Sequence, residues 1–270
     1  MANPVFTENS KFAPQPVPPM GYDLATGQPH DATPRPFDAS TGLPVDTTAH
    51  DRMTFEGIVV RAAAFFLLTL ASAVLVAMFV PQLAVILSFA AFGVSLVTMA
   101  AARKGPKPAL FALTLALYGG AAGGLSRFYE DTWGGIVMQA LIATAVVFAA
   151  ALAVHRSGKV RQMAKIRRFL MVAVPAYVLF SLINVGMVML GGANVREMII
   201  PGTGMPWGLV ISLVAIAVGA FMLLSDFDAA QQGVRNQLPA AWEWTAAYGL
   251  VFSVVWIYIE MLRLLSYLRR

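Results

Sequence analysis

Residues 57–80 read GIVVRAAAFFLLTLASAVLVAMFV and carry one charge, Arg61. A helix needs about 20 apolar residues to cross a bilayer core at 1.5 Å per residue, and this stretch supplies them. After Val80-Pro81-Gln82 comes a second such run, 82–102, so the two form a tight hairpin. Further runs lie at 109–126, 134–155, 169–191, 207–228 and 245–268, seven in all. They are continuously apolar rather than alternating, which selects helices over a β-barrel. The expected fold is an all-α, polytopic membrane protein with seven transmembrane helices.

Composition agrees. The chain is 58% hydrophobic and 12% charged, against about 45–50% and about 25% in ordinary soluble domains. There are no cysteines, which excludes disulfides, thiolate catalysis and cysteine-bound metal. The three histidines, His30, His50 and His155, are scattered and argue against a histidine metal site. The net charge of +5 is grouped between apolar runs, so it reports orientation and contact with anionic lipid, with no nucleic acid as partner.

Residues 1–52 have a different composition. Nine of the sixteen prolines lie here, five acids face Lys11 and Arg35 within residues 1–50, and no apolar period appears. The expectation is a disordered, proline-rich cytoplasmic tail before a seven-helix domain at 53–270. It lacks the pattern of a cleavable signal peptide. A solvated tail and a PxxP docking segment are both compatible with it.

Lysine and arginine set the orientation. The 2–3 loop has Arg103, Lys104 and Lys107, and the 4–5 loop has Arg156, Lys159, Arg161, Lys165, Arg167 and Arg168. The 1–2 loop has none, and acids offset Arg127 and Arg196 in the 3–4 and 5–6 loops. A multi-pass protein of the cell membrane with a cytoplasmic N-terminus follows. Seven crossings put the C-terminus outside, which Arg269 and Arg270 oppose.

Ionisable groups inside spans are the strongest functional clues, because they are costly there. Asp226 and Asp228 close the sixth run, and Glu260 lies within the seventh with Arg263 three residues on. Each has a plainer reading. Arg61 can snorkel to the interface, Arg127 can anchor beside Tyr129 and Trp133, and Asp228 can be solvated at its helix end. Arg263 can neutralise Glu260 as an i,i+3 pair. Glycines 119, 120, 123 and 124 give two overlapping GxxxG spacings, suited to internal packing or to a dimer face. If two acids meet in low dielectric, they share a proton or hold a hard cation such as Ca²⁺. Asp226, Asp228 and Glu260 are therefore the candidate proton-sensing and cation-binding residues.

The stretch Ile257-Tyr258-Ile259-Glu260-Met261-Leu262-Arg263-Leu264-Leu265 resembles the last-helix pattern LYLDFxxLF of the transmembrane Bax inhibitor motif family. Ser225-Asp226-Phe227-Asp228 resembles its sixth-helix pattern, and Gly123 to Glu130 its glycine-rich third-helix end. The resemblance spans about residues 55–270, nearest to a bacterial branch with a long polar N-terminal tail. It implies a last helix surrounded by the other six and a pH-sensitive calcium leak. An acidic pair on helices six and seven would sense protons. Carried over, that pair is Asp226 or Asp228 with Glu260, and Asp226 with Glu260 would bind the Ca²⁺. Glutamate stands where the family has aspartate, and the 233–244 segment is longer than usual. A depth count separates Asp226 from Glu260 by roughly 10 Å along the membrane normal, which tilt would have to close.

The alternative is a non-transporting regulator that binds a protease or another membrane protein through the tail and the basic 4–5 loop. No HExxH, GxSxG or P-loop pattern appears, so an enzyme is not expected. Lipid, protons and Ca²⁺ are the expected partners, and no cofactor is implied.

Overall fold

The computed structural model describes residues 52–157 and 163–269. The tail expected over residues 1–52 lies, but for Arg52, outside them. Among the described residues, seven helices are long and apolar enough to cross a membrane. They are α1 (Phe55–Phe79), α2 (Ala84–Ala102), α3 (Pro108–Thr132), α4 (Ile136–Arg156), α5 (Met163–Met189), α6 (Trp207–Arg235) and α7 (Glu243–Leu268). Short 3₁₀ turns at Pro81–Leu83 and Ala240–Trp242 precede α2 and α7. The protein is a helical, multi-pass membrane protein.

Local chemistry accounts for the boundaries. Thr54 caps α1, its hydroxyl accepting from Gly57 N at 3.0 Å. Pro81 cannot continue α1, and it opens the 3₁₀ turn that starts the hairpin. Pro108 takes the first position of α3, where a missing N–H costs nothing. Several helices outrun their apolar stretches: α5 begins at Met163 rather than 169, and α6 continues to Arg235 rather than 228. The apolar run measures the lipid-embedded part, whereas backbone hydrogen bonding propagates on into the interface.

Helix α7 is central. It packs against α1, α3, α4 and α6, and Tyr177 reaches it from α5. Aromatic pairs fill the seams: Phe111 stacks on Tyr248 at 4.6 Å, and Tyr118 meets Phe252 edge-on at 5.3 Å. The α2 and α5 helices lie at the periphery, and α5 is the least buried of the seven.

The four glycines of α3 are all buried inside this fold. A Cβ on Gly119 or Gly123 would strike the backbone carbonyls of Thr69 or Ala73 in α1, and one on Gly124 would strike Pro81 and Ala84. The small-residue face is spent on packing α3 against α1 and the start of α2, not left free as a dimer face.

The two ends of the bundle have different partners. At one, Met53 N donates to Leu238 O at 2.7 Å, joining the start of α1 to the α6–α7 connection. At the other, Arg269 donates to the carbonyls of Trp133 and Gly134 at 3.2 and 2.9 Å, in the α3–α4 turn. The start of α1 and the end of α7 therefore lie at opposite ends, so the seventh helix crosses.

Candidate functional site

Charged and polar groups meet α7 at three levels. At its first turn, Glu243 is 3% exposed. It accepts from Thr54 N at 2.7 Å and from the Thr54 hydroxyl at 3.1 Å, and it forms an ion pair with Arg61. Arg61 also donates to Ala240 O at 2.7 Å and lies over the Trp244 ring at 5.0 Å. Arg61 is thus held by a counter-ion and a ring rather than snorkelling freely to the interface. Gly57 leaves room for the carboxylate, because a Cβ there would collide with Glu243. The cluster staples the starts of α1 and α7 together.

Ten residues along α7, about 15 Å further, Ser253 donates its buried hydroxyl to Asp226 of α6 at 2.6 Å. Gly249 lets the carboxylate approach α7 closely; a Cβ at that position would lie 2.9 Å from Asp226 Oδ1. The Ser253 bond is the one that Asp226 makes among the described residues, and none of their cationic groups lies within ion-pair range of it. Asp228, two residues on, is different: Arg167 of α5 pairs with it at 2.9 Å and Gln232 donates to it at 2.8 Å. Asp228 is a bridge between α5 and α6, not a merely solvated helix end.

Another turn or two along α7, Glu260 is 2% exposed. Arg263 donates to its Oε1 at 2.6 Å, and Tyr177 of α5 donates to the same oxygen. Arg196, from the α5–α6 connection, approaches its Oε2 at 3.9 Å. The Tyr177 hydroxyl accepts in turn from Arg196 at 2.7 Å and from Arg263 at 3.3 Å. Arg196 is 7% exposed. The connection that carries it is pinned by Asn184, which accepts from Val195 N at 2.9 Å and donates to Asn194 at 3.0 Å. Two guanidinium groups around one carboxylate offset the large cost of desolvating it.

The structure does not bring Asp226 and Glu260 together. Ser253, the α7 partner of Asp226, precedes Glu260 by seven residues, about 10 Å of helix. That offset along α7 has the size of the depth count from the sequence. Glu260 is paired with arginines instead of an acid. Among the described residues no group of three or more His, Asp or Glu could hold a metal ion, and Asp226 and Glu260 do not share one position from which both could ligate Ca²⁺.

The family model described as Bax inhibitor 1 like matches residues 3–270, nearly the whole chain. The chain belongs to the Bax inhibitor 1 like family. No curated protein matches it. Membership agrees with the resemblance carried by the α6 and α7 motifs, and with the central last helix.

Three residues of these clusters escaped sequence reasoning. Glu243 stands at the head of a span between Trp242 and Trp244, and its opposite charge to Arg61 was the available signal. Arg196 read as a loop charge offset by its neighbour Glu197. Tyr177 gave no signal, being one aromatic ring within an apolar run.

Proposed function

We propose that this Bax inhibitor 1 like protein is a non-enzymatic, proton-regulated leak for a hard cation, chiefly Ca²⁺. It would sit in the cell membrane with its N-terminus in the cytoplasm. Asp226 is its titrating group. One observation carries this reading: Asp226 is a carboxylate in a membrane-crossing helix, with one hydroxyl as hydrogen-bond donor and no counter-ion among the described residues. Such a group is costly to keep charged away from water, so its protonation couples readily to what it contacts. When ionised it attracts a cation. When protonated it does not.

Glu260 plays a different part. Bound to Arg263, Arg196 and Tyr177, it joins α5, the α5–α6 connection and α7, and its charge is already compensated. The acid pair suggested by the resemblance divides here into a lone titrating group and an ion-paired brace. The basic α2–α3 and α4–α5 connections support the orientation.

The test is Ca²⁺ flux against external and internal pH in proteoliposomes. Flux should fall as pH falls through the titration of Asp226, because protonation removes the charge that draws the cation. Asp226→Asn, which can still accept from Ser253, should give a low flux independent of pH. A wild-type protein that passes no Ca²⁺, or an Asn variant with the wild-type pH profile, would overturn the proposal.

A further inference from the structure

Helices α5 and α6 leave a groove of about 360 Å³ on the outside of the bundle. Phe169, Ala173, Tyr177 and Phe180 line it from α5, and Trp207 and Val214 from α6. All are apolar or aromatic, and Phe169, Trp207 and Val214 are 42–56% exposed. In a membrane-crossing pair this opening faces lipid, and an open apolar slot in a bilayer fills with hydrocarbon.

The ends of the groove say which lipid. Lys165 sits one turn before Phe169 on the same helical face, and Arg168 immediately precedes it. Both are exposed, and neither has an ion-pair or hydrogen-bond partner among the described residues. The nearby acid, Asp228, is already taken by Arg167. Two cations with no partner among the described residues thus lie within one helical turn of Phe169, the first α5 residue that lines the slot, and basic charge beside an apolar slot suits an anionic headgroup followed by its tail. The length agrees. From Phe169 to Phe180 α5 rises about 16 Å, close to the depth of one leaflet of hydrocarbon, about 15 Å.

We propose that this groove binds an anionic phospholipid, with one acyl chain between α5 and α6 and its phosphate on Lys165 and Arg168. The site is continuous with the interior. The Tyr177 ring that walls the groove carries the hydroxyl donated to Glu260, so the acyl chain packs against the same side chain that braces α7. This proposal stands independently of the role given to Asp226.

Its test is native mass spectrometry of the full-length, delipidated protein with phosphatidylglycerol or phosphatidylcholine of identical chains. The wild type should retain phosphatidylglycerol in preference to phosphatidylcholine. The double variant Lys165→Gln/Arg168→Gln should weaken phosphatidylglycerol retention by roughly 30-fold, at about fivefold per charge, and leave phosphatidylcholine unchanged. Val214→Trp, at an exposed position, should fill the slot and weaken both lipids. Ala173→Phe on the opposite wall gives a second blocking variant should the first alter the unfolding temperature. Equal retention of the two lipids by the wild type, or undiminished phosphatidylglycerol binding when the slot is filled, would overturn the proposal.

Discussion

Glu243 and Glu260 are both buried acids on α7, and substitution should separate them from Asp226. Glu243→Ala leaves the Arg61 guanidinium and the Thr54 donors without their acceptor. The expected loss is about 3 kcal/mol, typical of breaking a buried ion pair from one side. Denaturant unfolding in detergent measures it. Glu260→Gln should cost a similar amount, because two arginines and Tyr177 then surround a neutral amide. Asp226→Asn should cost under about 1 kcal/mol by the same measurement, since Asn still accepts from Ser253 and no counter-ion among the described residues is abandoned. At this scale the sequence displayed the acids but not their partners. Rarity of charge in a span exposes Asp226 and Glu260. The Arg263 partner was legible because helical spacing sets it. Tyr177 is 83 residues away from Glu260, and only tertiary packing brings it there.

Among the elements, α3 shows how a spacing acquires a meaning. The sequence left its GxxxG face open between internal packing and dimerisation, and the bundle uses it for the α1 crossing. Gly123→Ala would press a methyl group into the Ala73 carbonyl, so α1 and α3 must separate. Overpacking of this kind typically costs about 1–3 kcal/mol. Gly93 of α2 has nothing near its absent Cβ. There, Gly93→Ala should stabilise by about 0.5–1 kcal/mol through helix propensity alone. Unfolding temperatures of the two variants, measured side by side, should move in opposite directions. The helix ends were less legible than the helices, since hydropathy marks where lipid begins and not where backbone hydrogen bonding stops.

For the whole molecule, hydropathy was enough to yield seven crossings because lipid tolerates so few alternatives to a continuous apolar helix. The centrality of α7 came from family resemblance and not from hydropathy, since the seven runs look alike as linear text. Which loops share a side can be tested directly in a chain without cysteines. Lys104→Cys in the α2–α3 connection should be labelled by an impermeant thiol reagent from the side holding the N-terminus. Gly134→Cys in the α3–α4 turn should be labelled from the other side only. Labelling of both from one side would contradict the topology. The separation of Asp226 from Glu260 is also a property of the whole bundle: it depends on how α6 and α7 run past each other, which residue spacing along either helix leaves open.

A proton that comes and goes on a single carboxylate of α6 is the event from which regulated leakage would follow. Infrared difference spectroscopy of the protein in lipid, recorded across a pH titration, observes that event as the carboxylic C=O stretch. Protonation of Asp226 should give a band that is present in the wild type and in Asp228→Asn but missing from Asp226→Asn. Persistence of the whole band in Asp226→Asn would contradict it.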